Sequence, residues 1–147
     1  MDLKDTSKHL LLLAETLYDW AGALAGIDGK RREKVARYAL AVADTLARAA
    51  EAVSRLDANP ADAAALRQAL RDYGRITGYV ETIVTVLKHH LDGRKLAGVK
   101  RRLAELERGA ELPTASALTK PTALKIHVGQ LITAEGYFRA LADSLRA

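Results

Sequence analysis

The stretch LKHHLDGRKLAGVKRR at residues 87–102 carries side chains that could bind a metal, a phosphate or a nucleic acid. Adjacent residues of a helix point about 100° apart, so His89 and His90 cannot chelate one ion together. Four positions later stand Gly93 and Arg94, and neither is a metal ligand. The pattern therefore predicts the end of a helix, where cationic side chains are favoured and Gly93 ends the helix.

The same five residues, His89-His90-Leu91-Asp92-Gly93, resemble the His-x-Leu-Lys-Gly core of histidine phosphotransfer domains, which are four-helix bundles. However, Asp92 stands where that family has a lysine, and it would place a negative charge beside a phosphohistidine. Arg94 and Lys95 follow where small residues would let a receiver domain approach. The sequence favours the end of a helix over a phosphotransfer site.

Ten cations fall into two clusters, and each cluster lies at the start of a predicted helix. They are Lys30, Arg31, Arg32, Lys34 and Arg37 in the first cluster, and Arg94, Lys95, Lys100, Arg101 and Arg102 in the second. Cations at a helix start oppose the helix dipole by a few tenths of a kcal/mol each, which invites a functional explanation. Antiparallel helices would bring both clusters to one end of the fold, so we predict an anion- or lipid-binding surface there. The alternative is a solvated surface that binds nothing.

Catalytic signatures are missing from the sequence. The chain has no cysteine, no His-Glu-x-x-His pair, no phosphate-binding loop and no Gly-x-Ser-x-Gly elbow. No Glu-x-x-His pair of a di-iron bundle occurs either. We therefore predict a protein that is not an enzyme, that holds no metal or cofactor, and that has no small-molecule substrate.

Composition and periodicity predict the fold. The 147 residues fit a single domain, and with 5% aromatic residues its core must be built from Leu, Val, Ile and Ala. Apolar residues recur every three or four positions, which predicts helices over about 7–25, 30–57, 60–91, 94–108 and 121–146. We expect these helices to form one all-α domain over 1–147, an up-down antiparallel bundle of four to five helices. Asp5-Thr6-Ser7 and Asn59-Pro60 are the predicted starts of the first and third helices. The β-branched stretch ITGYVETIVTVL also suits a strand, but no second strand candidate exists to pair with it.

Net charge is +5, and residues 94–147 hold ten basic and five acidic side chains. A modest basic excess permits anionic partners without requiring them. The N-terminus is too polar for a signal peptide, and no apolar run approaches the roughly 18 residues of a membrane-spanning helix. We expect a cytoplasmic protein that can be recruited to the inner face of a membrane.

The first three quarters of the chain resemble HeLo-type four-helix bundles, such as the N-terminal domains of mixed-lineage kinase domain-like proteins. The resemblance lies in the helix KHLLLLAETLYDWAGAL, the long basic-headed second helix and Arg94-Lys95-Leu96-x-x-Val99-x-x-x-Leu103, which together span about 1–108. It implies a domain that oligomerises when released and binds or permeabilises anionic membranes. The first helix departs from this pattern, since it carries Asp2, Asp5, Glu15 and Asp19 against Lys4 and Lys8.

These observations predict a non-enzymatic interaction module that associates with a protein partner or with itself and binds anionic membranes. The two basic clusters would hold lipid headgroups, and a releasable apolar interaction surface would be supplied by Leu10, Leu11, Leu13 and Trp20. A structural adaptor or homo-oligomer is one alternative. A basic RNA-binding bundle is another, although stacking on bases needs aromatic residues among the cations and only Tyr38 is near them in sequence.

Overall fold

The fold was analysed in a computed structural model, which describes residues 3–20, 26–88, 93–109 and 121–147. Within these ranges, the side chains at 3–6, 95–96, 105–109 and 121–123 are not described. His89 and His90 lie outside the described residues, as do residues 110–120 between the fourth and fifth helices. The phosphotransfer alternative therefore stays a sequence-based hypothesis.

The described residues form five helices and contain no strand, so the all-α helical bundle is confirmed. The helices are α1 (Leu3–Asp19), α2 (Gly29–Ala58), α3 (Ala63–Leu87), α4 (Gly93–Gly109) and α5 (Pro121–Arg146). The stretch ITGYVETIVTVL lies inside α3. Burial of one helix face against neighbours outweighs the strand propensity of its β-branched residues.

The main helix contacts close into a ring in which α1 packs on α5, α5 on α2, α2 on α3, α3 on α4, and α4 on α1. Two ion pairs, Glu33–Arg146 and Asp44–Arg139, join α2 to α5. From the first pair to the second, the residue number increases along α2 and decreases along α5, so the two helices are antiparallel. A four-residue connection and the contact between Tyr38 and Tyr79 make α2 and α3 antiparallel as well. The helix α2 therefore lies between two antiparallel neighbours.

Two predicted helix starts are wrong in detail. The helix α1 begins at Leu3, so Ser7 is not a cap; it is buried inside the helix, and its hydroxyl lies 3.4 Å from that of Tyr73. The N-cap of α3 is Asp62, whose carboxylate accepts from the Ala65 amide at 3.0 Å. Asn59 instead ends α2, and its side-chain oxygen accepts from the Ala61 amide at 3.2 Å. A carboxylate at Asp62 also suits the positive end of the helix dipole.

The core is aliphatic, as the low aromatic content predicts, with Phe138 as its one buried phenylalanine. The helix α2 carries six buried alanines, whose small side chains let neighbouring helices approach closely. These alanines are Ala36, Ala39, Ala43, Ala49, Ala50 and Ala52. Their small side chains explain how α2 can pack against both α3 and α5.

Candidate anion-binding face

The exposed surface of α2 divides into an acidic line and a basic line. Glu33, Asp44 and Glu51 are exposed and follow one another at intervals of about three and two helical turns. A second line joins Lys30, Arg37, Arg48 and Arg55, which are also exposed and separated by whole numbers of turns. Opposite charges are thereby sorted onto two adjacent strips of the same helix.

Two members of the acidic line, Glu33 and Asp44, are neutralised by α5. Arg146 donates to Glu33 from Nη2 at 2.7 Å and from Nε at 3.1 Å. Arg139 donates to Asp44 at 3.1 Å and to Glu135 of its own helix at 2.8 Å. The hydrogen bond from Arg146 lowers the pKa of Glu33, and Arg37 adds a smaller attraction in the same direction. The acids of α2 therefore do not screen the basic line fully.

The basic line is not paired in this way. Across the described part of the chain, no carboxylate lies within 4.0 Å of Lys30, Arg37, Arg48 or Arg55. Arg48 donates only to the hydroxyl of Thr45, at 3.2 Å. Four exposed cations thus remain available along about seven turns of α2.

The antiparallel neighbour α3 adds a row of three arginines. Arg67, Arg71 and Arg75 are exposed and recur every four residues, so they lie on one side of the helix about 6 Å apart. Two acids of the same segment do not contribute to this surface. Asp62 caps the helix, and Asp72 is buried with its carboxylate accepting from Gln68 at 3.0 and 3.1 Å. Glu81 is exposed, so α3 presents three exposed arginines and one exposed glutamate.

Two tyrosines lie between the cations where α2 meets α3. The rings of Tyr38 and Tyr79 are 5.9 Å apart and tilted by 54°. The guanidinium carbon of Arg37 lies 5.9 Å from the centre of the Tyr38 ring, and that of Arg75 lies 5.9 Å from the Tyr79 ring. Arg75 also donates to the Tyr79 hydroxyl at 3.1 Å, which raises the pKa of this arginine. We call this four-residue group, with the cations of α2 and α3 around it, the basic face.

No match was found among known protein-family models, curated proteins or solved structures. Function must therefore be argued from this chain's own residues.

The predicted basic clusters are only partly at the surface. The exposed members are Lys30, Arg31, Lys34 and Arg37 in the first cluster, and Arg94, Lys100 and Arg101 in the second. Arg32 and Arg102 are half-buried, and the side chain of Lys95 is not described. The Nε atom of Arg31 lies 3.7 Å from a carboxylate oxygen of Asp28, the N-cap of α2. The Nε atom of Arg32 is buried and has no hydrogen-bond acceptor in the part of the chain that is described.

Connectivity limits how far apart the two clusters lie. Because α3 is antiparallel to α2, its last residue, Leu87, lies toward the end of the bundle where α2 begins. Five residues, 88–92, lie between Leu87 and Gly93, the first residue of α4, and the six Cα–Cα steps that join these two span at most about 20 Å. The start of α4, with the exposed Arg94, therefore lies within about 20 Å of the end of α3, and α4 packs against α3.

The predicted apolar interaction residues lie in the core. Leu10, Leu13 and Trp20 are buried, and Leu11 is partly buried against the same core. In this fold they stabilise the packing of α1, so a partner could contact them only if α1 were released from the bundle. Among the described residues, the exposed large apolar side chains are Ile126 and Ile132 on α5 and Tyr18 on α1.

Other polar groups of the described residues have structural roles. His127 is buried on α5 with its Nδ1 at 3.5 Å from Gln130, and burial raises the pKa of Tyr73 to about 12. Among the described residues, no group of three or more potential metal ligands comes together. None of the helices in the described ranges combines the length and hydropathy needed to cross a bilayer.

The sequence reasoning missed the arginines of α3 and the pairing of Tyr79 with Tyr38. The spacing of Arg67, Arg71 and Arg75 was a usable signal, because four-residue intervals place side chains on one side of a helix. The tyrosine pair had no such signal. Its residues are far apart in sequence and meet only through the register of α2 against α3.

Proposed function

We propose that this chain is a non-enzymatic helical-bundle module that attaches to anionic membrane surfaces through the basic face. The observation that carries this proposal is the sorting of charge on α2 and α3. Glu33 and Asp44 are paired with α5, Asp72 is buried and Asp62 is a cap, so that Glu51 and Glu81 are the acids that stay exposed and unpaired on the described α2 and α3. The cations of the basic face are exposed and have no carboxylate of a described residue within 4.0 Å. The resemblance to HeLo-type bundles implies the same class of target.

The arrangement of the cations suits a lipid surface. They are spread along two antiparallel helices, α2 and α3, and further exposed cations lie on α4, which packs against α3. Each Lys or Arg held near an anionic bilayer contributes about 1 kcal/mol. Several such residues give a reversible attachment that needs no inserted helix. Half-buried tyrosines are also typical of the membrane–water boundary, where one end of the ring is apolar and the other is wet.

The test is co-sedimentation with vesicles of phosphatidylcholine alone or mixed with phosphatidylserine. The full chain should sediment only with the anionic vesicles. Arg71→Glu should reduce the bound fraction, and Arg67→Glu together with Arg71→Glu should abolish it. Lys8→Glu is the matched control, since it reverses an exposed cation on α1 and changes the net charge equally. Equal recovery with neutral and anionic vesicles, or equal losses in Arg71→Glu and Lys8→Glu, contradicts the proposal.

Single-stranded RNA is a second candidate partner. It is favoured by the Tyr38–Tyr79 pair, which places aromatic rings among the cations of the same face. Stacking of bases on such rings, combined with phosphate contacts to arginine, is a common mode of single-strand binding. Fluorescence anisotropy with a labelled RNA oligonucleotide tests it directly. Saturable binding to RNA with no preference for anionic over neutral vesicles would replace the membrane proposal by this one.

A further inference from the structure

The outward side of α5 is an apolar face that no other described helix covers. Ile126 and Ile132 are 58% and 55% exposed, which is unusual for isoleucines in a fold whose other large aliphatic side chains are buried or half-buried where described. Gly129 lies between them, and Gly136 and Ala140 follow about one and two turns beyond Ile132, so that small or absent side chains flank the isoleucines. No described atom comes within 4 Å of the position that a Cβ would take at either glycine.

This face contains both protrusions and a depression. The isoleucines protrude, while Thr133, Gly136 and Ala140 line a cleft of about 450 Å³ that is walled by Tyr18 and Tyr137. The two tyrosine rings are 5.5 Å apart and belong to α1 and α5. A large aliphatic side chain from another helix would therefore find a cleft of suitable size beside Gly136.

Charge complementarity on the same face identifies the second helix. Lys125 and Asp143 are both exposed and lie at opposite ends of the face, eighteen residues or about five turns apart, so they lie on one line along α5. Ile132 and Gly136 lie close to that line, at positions between Lys125 and Asp143. Suppose that a second copy of α5 runs antiparallel to the first, related by a two-fold axis at the height of Ala134. Lys125 of each copy then lies opposite Asp143 of the other copy, so two ion pairs can form.

The same register matches the shapes. It places Ile132 opposite Gly136 of the second copy, so that this protruding side chain faces a glycine. Ile126 directly follows Lys125 and therefore points about 100° away from the line of contact. Self-complementarity of this kind, in which residue i meets j and j meets i, is the requirement for a two-fold interface. Small residues at the crossing also allow two helices to approach closely.

We propose that the occupant of the α5 face is a second copy of this chain, bound through an antiparallel two-fold α5–α5 contact. Ile132 inserts beside Gly136 of the partner molecule, and Lys125 pairs with its Asp143. This contact lies away from the basic face and does not depend on the proposed function. It assigns the self-association surface to α5, whereas the sequence had placed it on α1.

The absence of cysteine from the chain makes a direct cross-linking test possible. Lys125→Cys and Asp143→Cys variants are purified separately and oxidised alone or as an equimolar mixture. The antiparallel contact predicts disulfide-linked dimers in the mixture and far fewer in either variant alone. Dimers in Lys125→Cys alone would indicate a parallel arrangement and would overturn the proposal.

Sedimentation equilibrium of the unmodified chain provides the second test. The chain should dimerise, and Ile132→Glu should weaken the dimer at least tenfold without unfolding the bundle, since Ile132 is exposed. Lys125→Asp and Asp143→Lys should each weaken the dimer, and the double swap should restore it. A monomer at every concentration, a dimer indifferent to Ile132→Glu, or a double swap that fails to restore association would each refute the α5 contact.

Discussion

Arg146, the last helical residue of α5, forms a two-pronged ion pair with Glu33 near the start of α2, at 2.7 and 3.1 Å. The pair links the C-terminal end of α5 to the N-terminal part of α2, which has 30 residues. Both side chains are well exposed, so salt and solvent screen their attraction. The larger effect of the pair is on surface charge, because Arg146 neutralises Glu33, an acid that lies one helical turn from Arg37.

The Glu33–Arg146 pair predicts a small acid dependence of stability. The pKa of Glu33 is lowered from its ordinary value of 4.5, mainly by the hydrogen bond from Arg146. A lowered pKa in the folded state means that the stabilisation is present above pH 4.5 and is lost as the pH falls below it toward the folded-state value. Urea unfolding between neutral pH and pH 3 should show a shallower acid decline for Glu33→Gln than for the unmodified chain. Identical acid profiles would contradict this, and Glu51→Gln is the matched control.

Tyr73 predicts a loss of stability in alkali. Burial raises its pKa from 10.0 to about 12, opposed by the hydrogen bond with Ser7. A raised pKa in the folded state means that the stabilisation is complete below pH 10 and is lost as the pH rises from 10 toward 12. The loss approaches 1.4 kcal/mol per pH unit at about the middle of this range.

Unfolding in urea at pH 9 and pH 11 measures this effect. The unmodified chain should lose more stability between the two values than Tyr73→Phe, which has no phenol to ionise there. Tyr18→Phe serves as the control, because Tyr18 is exposed. Ultraviolet titration should also show a tyrosine that ionises near pH 12, and Tyr73→Phe should remove this step. An alkaline decline that Tyr73→Phe leaves unchanged would be inconsistent with this assignment.

Neighbouring residues of α5 should respond very differently to truncation. Leu131 is fully buried, whereas Ile132 is 55% exposed. Leu131→Ala should lower the free energy of unfolding by about 2–5 kcal/mol, through lost burial and the cavity left behind. Ile132→Ala should change it by about 0.5 kcal/mol or less in a sample dilute enough to be monomeric. Chemical denaturation of both variants measures the two free energies of unfolding. Similar losses in the two variants would contradict the orientation of α5, in which Leu131 faces the core and Ile132 faces outward.

The N-cap of α3 offers a fourth prediction. Asp62 accepts a hydrogen bond from the Ala65 amide, which otherwise has no partner in the first turn. Asp62→Ala should lower the free energy of unfolding by about 1 kcal/mol, while Asp62→Asn should retain most of the stability because an amide oxygen can also accept. Asn59→Ala is the comparison that separates this interpretation from the one in which Asn59 starts the helix. A larger loss in Asn59→Ala than in Asp62→Ala would contradict the cap at Asp62.

The helices could be predicted from sequence because each buries one regular stripe of apolar residues. Their exact starts were less predictable, since residues 59–62 contain two side chains able to cap and only the surrounding turn decides between them. Ser7 shows the same limitation. A serine before an apolar run suits a cap, but α1 begins earlier and burial against Tyr73 gives the hydroxyl another partner.

The basic face shows why surface charge was harder to predict than helices. The segment from 58 to 93 holds four basic and four acidic residues, so counting along the chain indicates no excess there. Packing changes this balance, because Asp72 becomes buried and Asp62 becomes a cap while Arg67, Arg71 and Arg75 stay exposed. Likewise, the acids of α2 meet α5 only because the two helices are antiparallel. Charge sorting is thus a property of tertiary structure.

If attachment to the anionic surface is electrostatic, it should depend on charge and salt more than on the shape of the cations. Replacing Arg67 and Arg71 by lysine keeps both charges, so the fraction bound to phosphatidylserine vesicles should stay at that of the unmodified chain. Raising the salt from 0.1 M to 1 M shortens the screening length from about 10 Å to about 3 Å and should release the protein. Co-sedimentation across this salt range measures both effects. A loss on lysine substitution as large as that on glutamate substitution would mean instead that the guanidinium groups recognise their target by geometry, as expected for bidentate phosphate contacts.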